Sequence, residues 1–283
     1  MKLGVSSYGL HPYMSKTGKD IFGAIDKISE LGYSAVEFIM TYAPDGIDRL
    51  EQAERLKNYC KEKNIEITAY TIGANLLNDG EDDRLIEELK VCKALGAPMM
   101  RHDISGGFPP ERKTRRSYDD LIPIIVPKIR RVTEYAENMG IRTMTENHGF
   151  FSQDSERLEK LVNCVDNENF GILLDMGNFL CADENPAEAV GRLAPYVFHV
   201  HLKDFFVKDG QLPNPGAGWF KSRSGNYLRG TIVGHGQVPI VQCVQQLLDM
   251  GYTGHFSLEF EGMEDGEQAL IITMENMNRY FPD

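Results

Sequence analysis

Four short segments in the second half of the chain each carry residues that could bind a cation or move a proton. In "TENHG", Glu146 and His148 are two positions apart, so in a β-strand they project from one face. "GILLDMGN" runs through Ile172, Leu173 and Leu174 into Asp175. "VFHVHLKD" puts His199 and His201 on one face with Lys203 continuing it, and "FSLEFEG" does the same with Glu259 and Glu261. Taken singly, each has an ordinary explanation: an aspartate capping a helix, a histidine satisfied in a core, an acid ending a strand in solvent. Together they ask for a common one. Carboxylates converging in a low-dielectric pocket repel one another, and one of them must take up a proton unless a cation is present. Two glutamates, an aspartate and a histidine make a mostly oxygen donor set. It suits Mn²⁺ first, then Mg²⁺, with Co²⁺ or Zn²⁺ as further candidates. Glu146 then reads as a ligand, and His148 points into the same cavity.

The elements that must position these residues repeat a simple unit. In "DIFGAIDKISELGYSAVEFIM", Ile21, Ile25, Ile28 and Leu31 fall at helical spacing, Gly32 ends the helix, and a strand follows at Ala35–Met40. Gly96, Gly140 and Gly251 punctuate the same scheme, and Asn185 with Pro186 forms a helix start. Eight strands are expected: Leu3–Tyr8, Ala35–Met40, Ile67–Ile72, Met99–Ile104, Ile141–Asn147, Gly171–Met176, Val197–Leu202 and Phe256–Phe260. Helical patterns separate them, so the strands are expected to be parallel and the class α/β. No glycine-rich phosphate loop follows the first strand, which argues against an open doubly wound sheet. The expectation is a single (β/α)₈ barrel over residues 1–283, a fold whose chemistry sits at the C-terminal ends of its strands.

One interval breaks the rhythm. Residues 205–236, after the seventh strand, are rich in glycine and contain the sole tryptophan, Trp219, with Phe220, Tyr227 and Arg229. Long connections in compact domains are usually functional or disordered, and the aromatic content argues against disorder. The interval reads as a wall or lid over the site, and "LPNPGAGWF" within it as a surface that a partner would cover.

Composition narrows the possibilities. Thirty basic and 42 acidic residues give a net charge of −12, which disfavours general binding to nucleic acid. The basic segment "ERKTRRSY" (111–118) could hold a phosphate, although a solvated loop is the simpler reading. Five scattered cysteines without a C-x-x-C spacing argue against a disulfide framework or structural zinc. No run approaches a membrane span and the N-terminus has no signal-like apolar region, so a cytoplasmic location is expected.

With "KLGVSSYG", "LGYSAVEF", "TENHG", "LLDMGN", "HVHLKD" and "SLEFEG" in this order, the chain resembles the sugar phosphate isomerase/epimerase family, the xylose-isomerase-like barrels. The likeness covers essentially the whole chain. It implies one divalent metal held by Glu146, Asp175, His201 and Glu259, and it is the family pattern that selects His201 over His199 and Glu259 over Glu261. It implies Glu146 and Glu259 as the proton-transferring pair, with His148 as an alternative base free of the metal. Ketose 3-epimerases of the family have a histidine where this chain has Asn178, which weakens transfer of that activity. The "ENH" form and "GNYLRGTIVGHG" resemble a branch acting on inositol-derived or keto-sugar substrates, and the catalytic subunits of bacterial C-glycoside deglycosidases resemble it too.

The implied chemistry is removal of a proton next to a carbonyl, with the cation stabilising the enediolate as a Lewis acid. Return of the proton gives isomerisation or epimerisation, the expected activity. Loss of a group from the β-carbon gives the alternative, a lyase acting on a 3-keto glycoside. Asn178, Lys203, Trp219, Arg229 and His235 are the expected substrate contacts. The implied partners are a small sugar and either a second copy of the chain or a small second subunit, with no nucleic acid or membrane. A DNA-binding relative of the fold with three zinc ions would want more histidines and more basic surface than this chain offers.

Overall fold

The computed structural model describes residues 1–39, 44 and 46–282. Seven strands alternate with helices: β1 (Leu3–Ser6), β2 (Ala35–Ile39), β3 (Glu66–Ile72), β4 (Met99–His102), β5 (Arg142–Glu146), β6 (Phe170–Asp175) and β7 (Val197–Leu202). A side sheet follows, made of β8 (Asp204–Lys208), β9 (Phe220–Lys221) and β10 (Tyr227–Thr231), before β11 (Phe256–Leu258) completes the barrel. The closed order is β1-β11-β7-β6-β5-β4-β3-β2, with parallel pairing all the way round. This is the (β/α)₈ barrel expected from the alternation of elements.

Local chemistry sets the boundaries. Asp20 caps Ile21–Glu30 by accepting from the Gly23 amide, and Ile21, Ala24, Ile25 and Ile28 form the buried face. Ser117 and Asp120 form a reciprocal capping box on Tyr118–Asn138, and Asn185 caps Pro186–Leu193 through the Ala187 amide. Outward strand residues such as Val36, Phe38, Met100, Ile172, Leu174 and Val200 pack in one core with the helices. Each contributes about 2 kcal/mol by leaving water. Ala69, Met144 and Leu173 form a small separate cluster. By alternation, Met144 and Leu173 share the face of Glu146 and Asp175, so apolar residues fill the barrel below and charged ones its C-terminal end.

Three strands stop two residues before their expected ends. β1 stops at Ser6 because Ser7–Leu10 winds into a 3₁₀ turn leading to the helix His11–Thr17, where Pro12 favours a helical start. β4 ends at His102 and β11 at Leu258, although the Glu259 amide still bonds the Leu202 carbonyl and so keeps the run in line. Met40, the expected end of the second strand, lies outside the described residues.

The irregular interval is ordered as an antiparallel sheet, β8-β10-β9. Its base is tied down by Asp204, whose carboxylate accepts from the amides of Phe205, Gly234, Gly236 and Val238 at 2.8–3.0 Å. Only glycine fits at position 236, where a Cβ would come within 2.2 Å of Asp204 Oδ1, and Gly234 adopts φ +93°. Among the described residues, no helix is long and apolar enough to cross a membrane.

Candidate metal centre

β5, β6, β7 and the residue after β11 deliver Glu146, Asp175, His201 and Glu259 to one point. One donor atom from each lies within 4.8 Å of all the others. Measured from His201 Nδ1, Glu259 Oε2 is at 3.4 Å, Asp175 Oδ2 at 3.7 Å and Glu146 Oε1 at 3.9 Å. Glu146, Asp175 and His201 are buried, and Glu259 is nearly so.

Each side chain is aimed by its neighbours. Asp175 Oδ1 accepts from the amides of Gly177 and Asn178, which leaves Oδ2 turned to the cluster. Glu146 receives Asn178 Nδ2 on Oε1 at 2.9 Å and Arg101 Nη2 on Oε2 at 2.7 Å. His201 Nε2 lies 2.8 Å from Glu37 Oε2, so it is Nδ1 that faces the carboxylates. Lys203 Nζ sits 2.5 Å from Glu259 Oε2 and 3.1 Å from Asp175 Oδ2, with Glu261 and Asn178 Oδ1 beyond.

Whether these residues fit a divalent cation can be tested on their hydrogen bonding. Buried polar atoms are nearly always satisfied. Here Asp175 Oδ2 and His201 Nδ1 are both buried and neither completes a hydrogen bond, although Lys203 approaches the former. Two orphaned atoms of the right type, facing each other among carboxylates, are what a cation would satisfy. The donor set fits.

The electrostatics agree. Burial and the nearby Glu259 raise Glu146 above the usual carboxylate range, against the opposing pull of Arg101. Burial would raise Glu259 too, but Lys203 and His201 hold it well below that range. Burial would lower His201 and Lys203, yet the surrounding carboxylates hold both well above their ordinary values. The protein's own positive charge therefore collects where the carboxylates crowd.

His148 stands beside this cluster. Its side chain is 52% exposed, and Nδ1 lies 3.0 Å from Asp103 Oδ1. Asp103 also receives Arg101 Nη2 at 2.7 Å, so a single guanidinium links the Asp103–His148 pair to Glu146. The hydrogen bond to Asp103 raises the His148 pKa, with burial opposing.

The remaining sequence candidates are placed differently. Asn178 and Lys203 touch the cluster directly. Arg229 donates to Glu264 Oε1 at 3.1 Å and lies over the rings of Phe206 and Trp219, while Lys208 also lies against Trp219. The Trp219 ring is thus already met by two cations, and a sugar stacking on it would compete with them. His235 is exposed between the two glycines that clasp Asp204, outside the four-donor cluster. His199 meets Glu37 and Ser257 rather than the cluster. The basic segment 111–118 is largely exposed.

Sequence reasoning missed Glu37, Arg101 and Asp103. A signal existed for each. Glu37 interrupts the apolar run "AVEFI", and Arg101 with Asp103 repeats at the end of β4 the two-residue spacing that singled out Glu146 and His148.

A family model described as xylose isomerase-like TIM barrel matches residues 25–280. An inosose dehydratase of Geobacillus kaustophilus is 25% identical over 285 residues, covering 92% of this chain and 85% of its own. Two solved structures cover all of this chain and all of their own at 18% identity. They are an IOLI protein with a bound zinc atom, at TM-score 0.76, and the probable 3-DHS dehydratase AsbF of Bacillus anthracis, at 0.75. At that identity the two structures share the fold.

Proposed function

We propose, for a chain that belongs to the xylose isomerase-like TIM barrel family, that it removes a proton from the carbon beside a carbonyl of an uncharged keto-cyclitol or keto-sugar. A hydroxyl or larger group then leaves from the β-carbon, which makes the activity that of a lyase. A divalent cation held by Glu146, Asp175, His201 and Glu259 would supply Lewis acidity toward the carbonyl oxygen.

One observation carries the choice of elimination: His148 is exposed and aimed by Asp103, while both glutamates of the expected proton-transferring pair are engaged. Epimerisation needs a proton-transfer group on each face of the carbon. Elimination needs only one. The imidazole Nε2 takes the α-proton, the C–H electrons form the new double bond, and the β C–O bond breaks with its pair on oxygen. The imidazolium can return its proton to that oxygen, so the base ends as it began. Lys203 and Arg101 hold their carboxylates in place throughout. The naming of a relative as an inosose dehydratase supports the same outcome.

Charge supports an uncharged substrate. Among the described residues, Glu37, Asp103, Glu146, Asp175, Glu259 and Glu261 pair with just two permanent cations, Arg101 and Lys203. A divalent ion still leaves the centre negative, and a phosphate or carboxylate beside it would be repelled.

Isomerisation or epimerisation is the second reading. It is favoured by the burial that raises Glu146 above the usual carboxylate range, toward where a general base works best. The exposed Phe220 of the side sheet and Leu212 of its β8–β9 connection support a further proposal, a homo-oligomer or a second subunit, which light scattering tests.

The deciding experiment incubates Mn²⁺-loaded protein in D₂O with inososes, free ketoses, 3-keto glycosides and the corresponding sugar phosphates. Loss of water or aglycone from an uncharged substrate, abolished by a chelator, is the expected result. Deuterated isomers without elimination would move the second reading into first place. Full activity in a strong chelator would overturn both.

A further inference from the structure

The segment "LGYSAVEF" has no part in the chemistry above, yet it places a fully buried glutamate against the centre. Glu37 lies on β2, beside β1 and two to four strands round the closed barrel from the strands that carry the four donors. The β2–β3 register shifts between Val36 and Glu37. Such irregularities re-aim a side chain.

The carboxylate is held from several sides. Oε1 accepts from Ser6 Oγ at 3.1 Å. Oε2 lies 2.8 Å from His201 Nε2 and 3.1 Å from His199 Nε2. Ser257 Oγ, 3.0 Å away, also meets His199 Nε2, and the two imidazoles stand nearly perpendicular at 5.9 Å between centroids. One oxygen thus fixes two rings. It turns only one of them, His201, so that the opposite nitrogen is bare and faces Glu146, Asp175 and Glu259.

We propose that Glu37 is the positioning residue of the cation site. By accepting the Nε2 hydrogen of His201 it fixes the ring's tautomer and orientation with Nδ1 free as the donor, and so sets how tightly the cation is held. The proposal rests on the metal reading above. A carboxylate behind a ligating imidazole raises the ligand's basicity and removes the cost of ordering the ring when the ion arrives. Glu37, His199 and His201 also bring three donor atoms within 4.8 Å. Those atoms already bind one another at 2.8 and 3.1 Å, so the geometry assigns them to support of one ion rather than to a second ion. His199 buttresses Glu37, and its loss should matter less.

The test needs no substrate. Chelator-stripped protein is titrated with Mn²⁺ or Zn²⁺ against a chromophoric competitor. Wild type should take up one ion. Glu37→Gln should bind it about 10- to 100-fold more weakly, Glu37→Asp should fall between the two, and His199→Gln should lose less than Glu37→Gln. The far-UV spectrum of each stripped variant checks the fold. A measurement on wild type alone guards against a variant that does not fold: nitrogen-resolved NMR of the Zn²⁺-loaded protein should show His201 carrying hydrogen on Nε2 and metal on Nδ1. Unimpaired binding by folded Glu37→Gln, the opposite tautomer, or two ions per chain would each overturn the proposal. A wild-type chain that binds no ion would sink the metal reading itself, and Glu37 with it.

Discussion

Asp175 and Asp204 are both buried aspartates, one closing β6 and the other just after β7, yet they are satisfied in opposite ways. Asp204 has both oxygens filled by backbone amides and anchors the side sheet. Asp175 has one oxygen filled by amides and the other without a completed hydrogen bond, facing an equally bare His201 Nδ1. Glu88 is a third case, filled by Arg49 and Tyr70 side chains. Burial alone does not mark a functional carboxylate. What sets Asp175 apart is a buried oxygen without a completed hydrogen bond that faces a second such atom, His201 Nδ1, among carboxylates, because the cost of desolvating both is offset by a cation that reaches them.

The sharpest way to break this comparison is to mutate Asp175. Asp175→Ala should abolish metal retention, measured by elemental analysis, and lower turnover by several orders of magnitude, while the far-UV spectrum stays that of a barrel. In metal-free protein, Asp175→Asn should be no less stable than wild type, since it removes one of the crowded charges. His148→Ala comes next. It should keep the metal and lose about 10²- to 10⁴-fold in turnover, the range for a lost general base. Loss of the metal as well would make His148 a ligand and the four-residue shell wrong.

Asp204→Asn should do the reverse of Asp175→Ala. Its amide cannot accept on both sides, so chemical denaturation should show about 2–4 kcal/mol lost, with metal affinity unchanged. The smallest effect belongs to Glu88, whose carboxyl burial would raise but which Arg49 and Tyr70 hold below the usual range. A depressed carboxyl contributes stability that is present above the unfolded value of about 4.3 and lost as pH falls through the folded value. Glu88→Gln should therefore cost about 1 kcal/mol near neutrality. Urea titrations at falling pH should show that gap closing below about pH 4.

Much of this was legible in the chain itself. The alternation of apolar strands and capped helices gave the closed eight-stranded barrel, because period and capping are local properties that each segment carries alone. The two-residue spacing in "TENH", "HVHLK" and "LEFEG" gave the face each candidate occupies, since strand alternation is equally local. Spacing left His199 and His201 equivalent, and likewise Glu259 and Glu261. The family resemblance, not the pattern of residues, chose between them. The tertiary structure separates the histidines physically: Glu37, from a strand near the opposite end of the sequence, places His201 Nδ1 among the carboxylates. It separates the glutamates by Lys203, which lies 2.5 Å from Glu259 and 3.5 Å from Glu261. It also joined Arg101 and Asp103 to His148 and Glu146, and filled the side sheet's Arg229 with Glu264 rather than leaving it free. None of these pairings follows from sequence spacing, because each depends on distances set only when the barrel closes and brings side chains from separate strands into one low-dielectric space. There an unpaired charge is costly, which is why Arg101 and Lys203 sit against the carboxylates of the proposed cation site.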